Sequence, residues 1–226
     1  MRELRKDERV ERTESAGDPG SQTLSRGLDA LALIGESRTP ATINDLAVQL
    51  GVNRSAAYRV VRTLERHRFV QRSPSGELTL GVRLAALGQT VSRELQVVAL
   101  PVLQRVADAL QMTAFLVVYD GEEAVTLLSV EPRNAATFVA QRPGRRHPVG
   151  RGAPGRVIQS MLSPHEHPAA RHEQSRDEVI PGLSAIAVPL RSERPASIAV
   201  LYATRAVDVP GIVEMLEEAS ASIAAG

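Results

Sequence analysis

The chain has no cysteine and no tryptophan, only 3% aromatic residues, and no apolar run approaching the length needed to cross a bilayer. Lacking cysteine, it cannot form disulfides, thiolate nucleophiles or cysteine-held zinc, a composition expected of a protein in a reducing cytoplasm. With so few rings, any core must be built from Leu, Val, Ile and Ala. A charged N-terminal stretch without an apolar segment reads as neither signal peptide nor anchor, so a cytoplasmic protein with no membrane partner is expected. Excess charge is also absent: the formal net charge is +1, too little for a protein that coats nucleic acid by bulk electrostatics.

At 226 residues and 43% hydrophobic content the chain is long enough for one large or two modest domains. The small charge is unevenly spread. Residues 21–81 hold eight arginines against five acids, whereas residues 82–226 hold fourteen against fifteen. The positive excess therefore sits in the first third of the chain, which also carries the most specific pattern.

Thr42-Ile-Asn-Asp45 has the form of a capping box and predicts a short helix to Leu50, ended by Gly51. Asn53 can cap a second helix. On a helical wheel Ala57, Val60, Val61 and Leu64 form an apolar stripe, and Ser55, Arg59, Arg62 and Arg66 fall on the opposite side. Phe69–Arg72 and Glu77–Leu80 read as two short strands around Ser73-Pro-Ser-Gly76, with Ser, Pro and Gly in places favoured by a type I turn. An outward arginine stripe alone is usually a solvated face. With the preceding helix and a β-ribbon in register, it reads as a winged helix-turn-helix.

Before this module, Leu24–Ile34 predicts a supporting helix, and residues 1–21 read as a charged, disordered tail. After it, Val82–Leu95 predicts a linker helix whose Leu84, Leu87, Val91 and Leu95 need a partner, most simply a second copy. Val97–Leu110 predicts another helix, tolerating Pro101 only near its first turn. Strands are expected at Thr113–Tyr119, Ala124–Glu131, Ala135–Gln141, Leu183–Leu190 and Ala196–Thr204. Arg142–Arg151 reads as a basic loop, Pro154–Leu162 and Pro210–Ala225 as helices, and Ser163–Arg176 as a polar connection without periodicity. The result is an α+β chain with four parts: a tail (1–21), a winged helix-turn-helix (22–81), a linker helix (82–95) and an α+β domain with a mainly antiparallel sheet (96–226).

The runs Val52-Asn-Arg-Ser-Ala-Ala-Tyr-Arg-Val-Val-Arg-Thr-Leu-Glu65, Gly76-Glu-Leu-Thr-Leu-Gly81 and Gly182-Leu-Ser-Ala-Ile-Ala-Val-Pro-Leu190 resemble the IclR-type family of bacterial transcriptional regulators. The resemblance covers residues 22–226. It implies a homodimer or dimer of dimers that binds double-stranded DNA at a pseudo-palindromic operator and senses a small, commonly acidic metabolite in its C-terminal domain. It places DNA contacts at Arg54, Ser55, Tyr58, Arg59 and Arg62 of the second helix and at Ser73 and Gly76 of the wing. In the C-terminal domain it places the effector against Gly152 and Ala153, where backbone amides usually meet the ligand. Ala185 stands where members often have cysteine, and Tyr202 and Thr204 stand where two serines are common; the resemblance makes these three the remaining expected effector contacts. The connection between the 154–162 helix and the 183–190 strand is shorter than is usual in the family.

Other readings of these residues are weaker. Gly150-Arg-Gly-Ala-Pro-Gly155 spells a dinucleotide fingerprint, but what precedes it cannot be a buried strand. His165, His167 and His172 lack an acid at ligand spacing, so no metal is expected and no cofactor is implied. Neither a nucleophile elbow nor an H-E-x-x-H run occurs, so the chain does not read as an enzyme. A C-terminal domain that only oligomerises, and a DNA-binding domain fused to a small-molecule enzyme, are the alternatives.

Overall fold

A computed structural model describes residues 20–37, 39–135 and 138–226. The expected tail therefore lies almost wholly outside the described residues. The described chain divides into two compact units that meet between Val91 and Ser92.

The first unit contains α1 (Gln22–Glu36), α2 (Ile43–Gln49), α3 (Arg54–Arg66), β1 (Val70–Arg72), β2 (Leu78–Leu80) and α4 (Val82–Gly88). Its caps follow the local chemistry. Thr42 and Asp45 exchange side-chain and backbone hydrogen bonds as a capping box, and Asn53 Oδ1 accepts the Ala56 amide at 2.8 Å. Gly51 turns the chain between the helices with φ of 63°, a left-handed value that favours glycine. Ala30, Ile34, Leu46, Val61, Leu64, Val70 and Leu78 form one core joining the three helices to the ribbon. Gly81 fits where the ribbon ends because a side chain there would begin 2.1 Å from the Arg68 carbonyl oxygen.

The linker helix is shorter than expected. It stops at Gly88, and turns through Val91 lead to α5 (Arg93–Leu110). Thr90 Oγ1 donates to the Leu87 carbonyl at 2.7 Å, and Ser92 takes φ of 47°, which breaks the helical path. Because α5 starts at Arg93, Pro101 lies well inside it, on an exposed face, rather than in its first turn.

The second unit continues with β3 (Thr113–Tyr119), β4 (Glu123–Val130), β5 (Arg146–Pro148), α6 (Gly152–Leu162), β6 (Glu173–Arg176), β7 (Leu183–Leu190), β8 (Ala196–Ala203) and α7 (Val209–Ala224). These strands form one sheet, ordered β5-β4-β3-β8-β7-β6, with every pairing antiparallel. Alternate side chains of β3, β7 and β8 face opposite ways. Leu116, Ile186, Val188, Ile198 and Val200 pack with α5 and α7, while Phe115, Val117, Ala185, Ala187, Ala199 and Leu201 pack with α6.

Two strand expectations fail. Of the strand expected at 135–141, residues 136 and 137 lie outside the described residues and residues 138–141 are not a strand. Those residues cross the sheet through side chains instead: Thr113 Oγ1 donates to the Val139 carbonyl at 2.5 Å and Gln141 Nε2 to Thr126 Oγ1 at 3.0 Å. The edge of the sheet comes from within the expected basic loop, as β5. The polar connection likewise contains a strand, β6, whose single buried residue, Ser175, is too little for a period-two pattern to be visible.

Candidate DNA-reading face and ligand cleft

Arg54, Ser55, Tyr58, Arg59, Arg62 and Arg66 are all exposed along α3. Among the described residues none of these four arginines makes an ion pair, because the acid on that helix, Glu65, is engaged by Arg72. That pair is bidentate, Nε and Nη2 to the two carboxylate oxygens at 2.9 and 3.0 Å, and it ties the wing to α3. The Arg72 guanidinium also lies 5.5 Å from the Tyr58 ring centroid, setting that half-exposed ring at the junction of helix and ribbon. Ser55 Oγ donates to Asn53 Oδ1 at 2.8 Å, so the cap also orients an expected contact residue.

The two wing positions have a different character. Ser73 Oγ accepts the Glu77 amide at 3.1 Å and pairs with Ser75 Oγ at 2.6 Å, so its hydroxyl closes the turn. Gly76, at φ of 90°, donates its amide to the Ser73 carbonyl at 2.9 Å.

In the second unit a narrow cleft, with a cavity volume of about 40 Å³, opens between the start of α6, β5 and the loop joining β6 to β7. Phe115, Pro154, Val179, Ile180, Leu183 and Leu201 give it apolar walls; Gln141, Arg145, His147 and Ser175 supply polar groups. Of the expected effector contacts, Gly152 and Ala185 line it. Ala153 does not line it and is fully buried beside it, packed with Phe115 and Ile158.

Tyr202 and Thr204 are on the wrong side of the sheet for the expected role. Leu201 pairs with Ala185 and faces the cleft, so Tyr202, one residue on, points into the core under α5 and α7. Thr204 Oγ1 bonds Ser184 Oγ at 2.9 Å and does not line the cleft.

Sequence reasoning missed His147 and Gln141, and placed Arg145 only as one cation of the basic loop before α6. Arg145 and Arg151 make no ion pair among the described residues, whereas Arg146 is neutralised by Asp120 and Glu123 at 2.9 and 2.7 Å. The alternation of β5 explains the split, since Arg146 and Pro148 are exposed and His147 turns inward. Burial, reinforced by Arg145 and Arg151, pushes the His147 imidazole below its usual pKa and keeps it neutral. The Gly152 amide is not free: it donates to Glu178 Oε2 at 3.1 Å, and Glu178 also pairs with Arg156.

The glycine run at 150–155 follows an edge strand of an antiparallel sheet, and α6 begins at Gly152 rather than at the last glycine. It therefore lacks the parallel strand–turn–helix unit a dinucleotide site requires. Among the described residues no three His, Cys, Asp or Glu side chains gather at metal-binding range.

The IclR helix-turn-helix domain matches residues 23–74. Over 151 residues the chain is 30% identical to the HTH-type transcriptional regulator XynR of Escherichia coli K12, a match covering 66% of this chain and 60% of that protein. The first unit carries an IclR helix-turn-helix domain, and the chain is similar to IclR-type transcriptional regulators. It is 25% identical over 169 residues to the HTH-type transcriptional repressor AllR of E. coli, covering 74% of this chain and 62% of the relative. Both matches thus span about three fifths of the curated relative. Whole-chain likeness is seen in solved structures: an IclR transcriptional regulator from Alicyclobacillus acidocaldarius superposes with a TM-score of 0.79 at 25% identity, covering 91% of this chain and 98% of that one. An IclR homolog from Microbacterium hydrocarbonoxydans, complexed with 4-hydroxybenzoate, has a TM-score of 0.75 at 24% identity, covering 90% and 98%. The fold of both units is therefore that of IclR regulators.

Proposed function

We propose that this chain is a sequence-specific DNA-binding transcriptional regulator that reads double-stranded DNA through α3 and the wing. The observation that carries this is the solvent face of α3, with four arginines free of carboxylate partners among the described residues, on a helix braced by the Arg72–Glu65 pair. Such a face can offer guanidinium forks to guanine edges and phosphates. Arg54, Ser55, Tyr58, Arg59 and Arg62 are the contact residues of this reading, and Ser73 and Gly76 shape the wing that flanks them. The operator is pseudo-palindromic and the protein a homodimer or dimer of dimers; supporting this, Val82 and Leu87 of α4 are 78% and 50% exposed, apolar surface that a second copy would cover. Selection of bound sequences from a random DNA pool tests this: paired half-sites are expected, and enrichment of nothing, or of single half-sites, overturns it.

The second unit senses a small organic acid in the cleft beside Gly152 and Ala185. Supporting this are the apolar walls, Arg145 at the lining without an ion-pair partner among the described residues, and the buried neutral His147. A panel of organic acids that raises the melting temperature and alters operator affinity supports the reading. A panel that does neither leaves the second unit as an oligomerisation module.

A further inference from the structure

Two observations about the cleft meet at the first turn of α6. The first is that this turn already holds an acid. Glu178, from the loop between β6 and β7, places Oε2 3.1 Å from the Gly152 amide and pairs with the Arg156 guanidinium, while its carbonyl accepts two N–H groups of Arg151 at 3.2 and 2.9 Å. A carboxylate set on a helix-start amide beside a guanidinium is the arrangement an acidic ligand would itself adopt. The second is a pair of buried polar atoms. His147 Nε2 and Gln141 Oε1 have no hydrogen-bond partner among the described residues, and both side chains line the cleft. His147 is 8% exposed. It lies against the same turn, its Cδ2 3.4 Å from where a side chain on Gly155 would begin. Buried polar atoms are almost always paired, so two unpaired ones in one cleft point to a partner that arrives with a ligand.

The segment carrying Glu178 is built as a strap. At its ends, Asp177 and Gly182 take left-handed φ of 57° and 79°. Asp177 Oδ1 accepts the Gly182 amide at 2.6 Å, and the Asp177 amide donates to the Leu183 carbonyl at 2.8 Å. The base of the strap is thus closed without help from its middle. Between those ends Val179 and Ile180 lie over the cleft, and Val179 Cγ2 stands 2.8 Å from the position a side chain on Gly152 would take. Arg156 has other holders, since Nε reaches Glu173 at 2.8 Å and Nη2 the Gln174 carbonyl, so it stays in place when Glu178 departs.

We infer that Glu178 is a tethered competitor for the effector's carboxylate. It rests on the amide of Gly152 and on Arg156 in the unliganded protein, and an incoming acid displaces it, lifting the 177–182 strap and opening His147 and Gln141 to the rest of the ligand. The inference rests on the acid-sensing reading of the cleft and adds to it how the site is regulated. Binding energy is then coupled to a movement of the strap, which is what a sensor needs, because a ligand shifts an equilibrium only by preferring one state.

The test is calorimetric titration of the full chain with acetate and benzoate, and with benzamide as the uncharged counterpart. Glu178 is exposed and E178Q keeps its volume, so the fold should persist, which a melting curve checks; E178A is the second variant. If the internal carboxylate holds the site most of the time, its removal raises the apparent affinity for the two acids about ten-fold in both variants and leaves benzamide unchanged. In the parent, benzoate should also speed amide exchange in residues 177–182. Acids that bind the parent and bind both variants equally or more weakly would overturn the inference while sparing acid sensing, since Glu178 would then build the site. If the acids bind neither the folded parent nor the folded variants, the acid-sensing reading and the inference both fail.

Discussion

Helices α3 and α6 both begin near exposed arginines and pack one apolar face inward, yet they are electrostatically opposite. On α3, Arg54, Arg59, Arg62 and Arg66 have no carboxylate partner among the described residues, and the acid on the same helix is drawn off to the wing by Arg72. On α6, Arg156 is matched by Glu173 and Glu178, and the helix start is capped by Glu178 as well. A helix with unmatched cations is ready for a polyanion at all times. A helix whose cation is matched by its own chain binds an outside anion only in exchange for an inside one. The difference separates a surface that holds from a site that can switch.

The largest test of this contrast acts on the unmatched side. Replacing Arg59 and Arg62 together by alanine should weaken binding to a selected operator by about 1–3 kcal/mol per base-reading contact, or lower the salt dependence where the contact is to phosphate. Thermal stability should be unchanged, because both side chains are exposed. Fluorescence anisotropy over a salt series checks it, and parental binding by the double variant would remove α3 from the DNA reading.

Next comes the platform rather than the charges. Gly81→Ala places a methyl 2.1 Å from the Arg68 carbonyl oxygen, so the ribbon must shift off α3. A loss of roughly 2–3 kcal/mol is expected, as for an overpacked core. Chemical denaturation of the first unit's transition measures it, and the second unit's transition should stay put.

A smaller effect is expected from Arg72→Ala. The pair with Glu65 is only partly shielded, with side-chain exposures of 26% and 28%, and its loss should cost about 1 kcal/mol or less of stability. Its larger consequence falls on DNA: Glu65 becomes an unmatched acid on the reading helix and the wing loses its tie. Operator affinity should therefore drop more than stability does, and the reverse order would mean that the pair serves the fold alone.

The smallest prediction concerns the cleft. His147 is held neutral by burial and by Arg145 and Arg151, so its folded pKa lies below its unfolded value near 6.5. The sign follows from linkage: the unfolded chain binds the proton more readily, so this contribution to stability is fully present above about pH 6.5 and is lost as pH falls towards the folded pKa. Melting temperatures of the parent and of His147→Gln between pH 7.5 and 5.5 should converge on acidification. A gap that widens at low pH would contradict the assignment of a neutral imidazole.

The two regions also differ in how much of them could be read beforehand. In the first unit the caps at Thr42 and Asn53, the turn at Gly51 and the inward stripe of α3 all act between residues a few positions apart, so local pattern suffices. The cleft is assembled from β3, β5, α6, β7, β8 and the strap, which are distant in sequence. Gly152 and Ala185 were legible through their family positions. Tyr202 was not, because one residue of strand phase carries a side chain to the other face, and nothing in Ala196–Thr204, apolar on both faces, reveals which residues look which way.

By itself the sequence determined the winged helix-turn-helix, the outward arginines, the α+β class and most element boundaries, because capping, turn chemistry and hydrophobic period are local properties of the chain. Only the tertiary structure decided that His147 turns inward between two exposed neighbours, that Leu201 rather than Tyr202 meets the cleft, and that Glu178 fills the start of α6. Those outcomes depend on strand parity and on long-range charge pairing. Both are settled when the sheet closes against its helices, and neither leaves a periodic trace in the sequence.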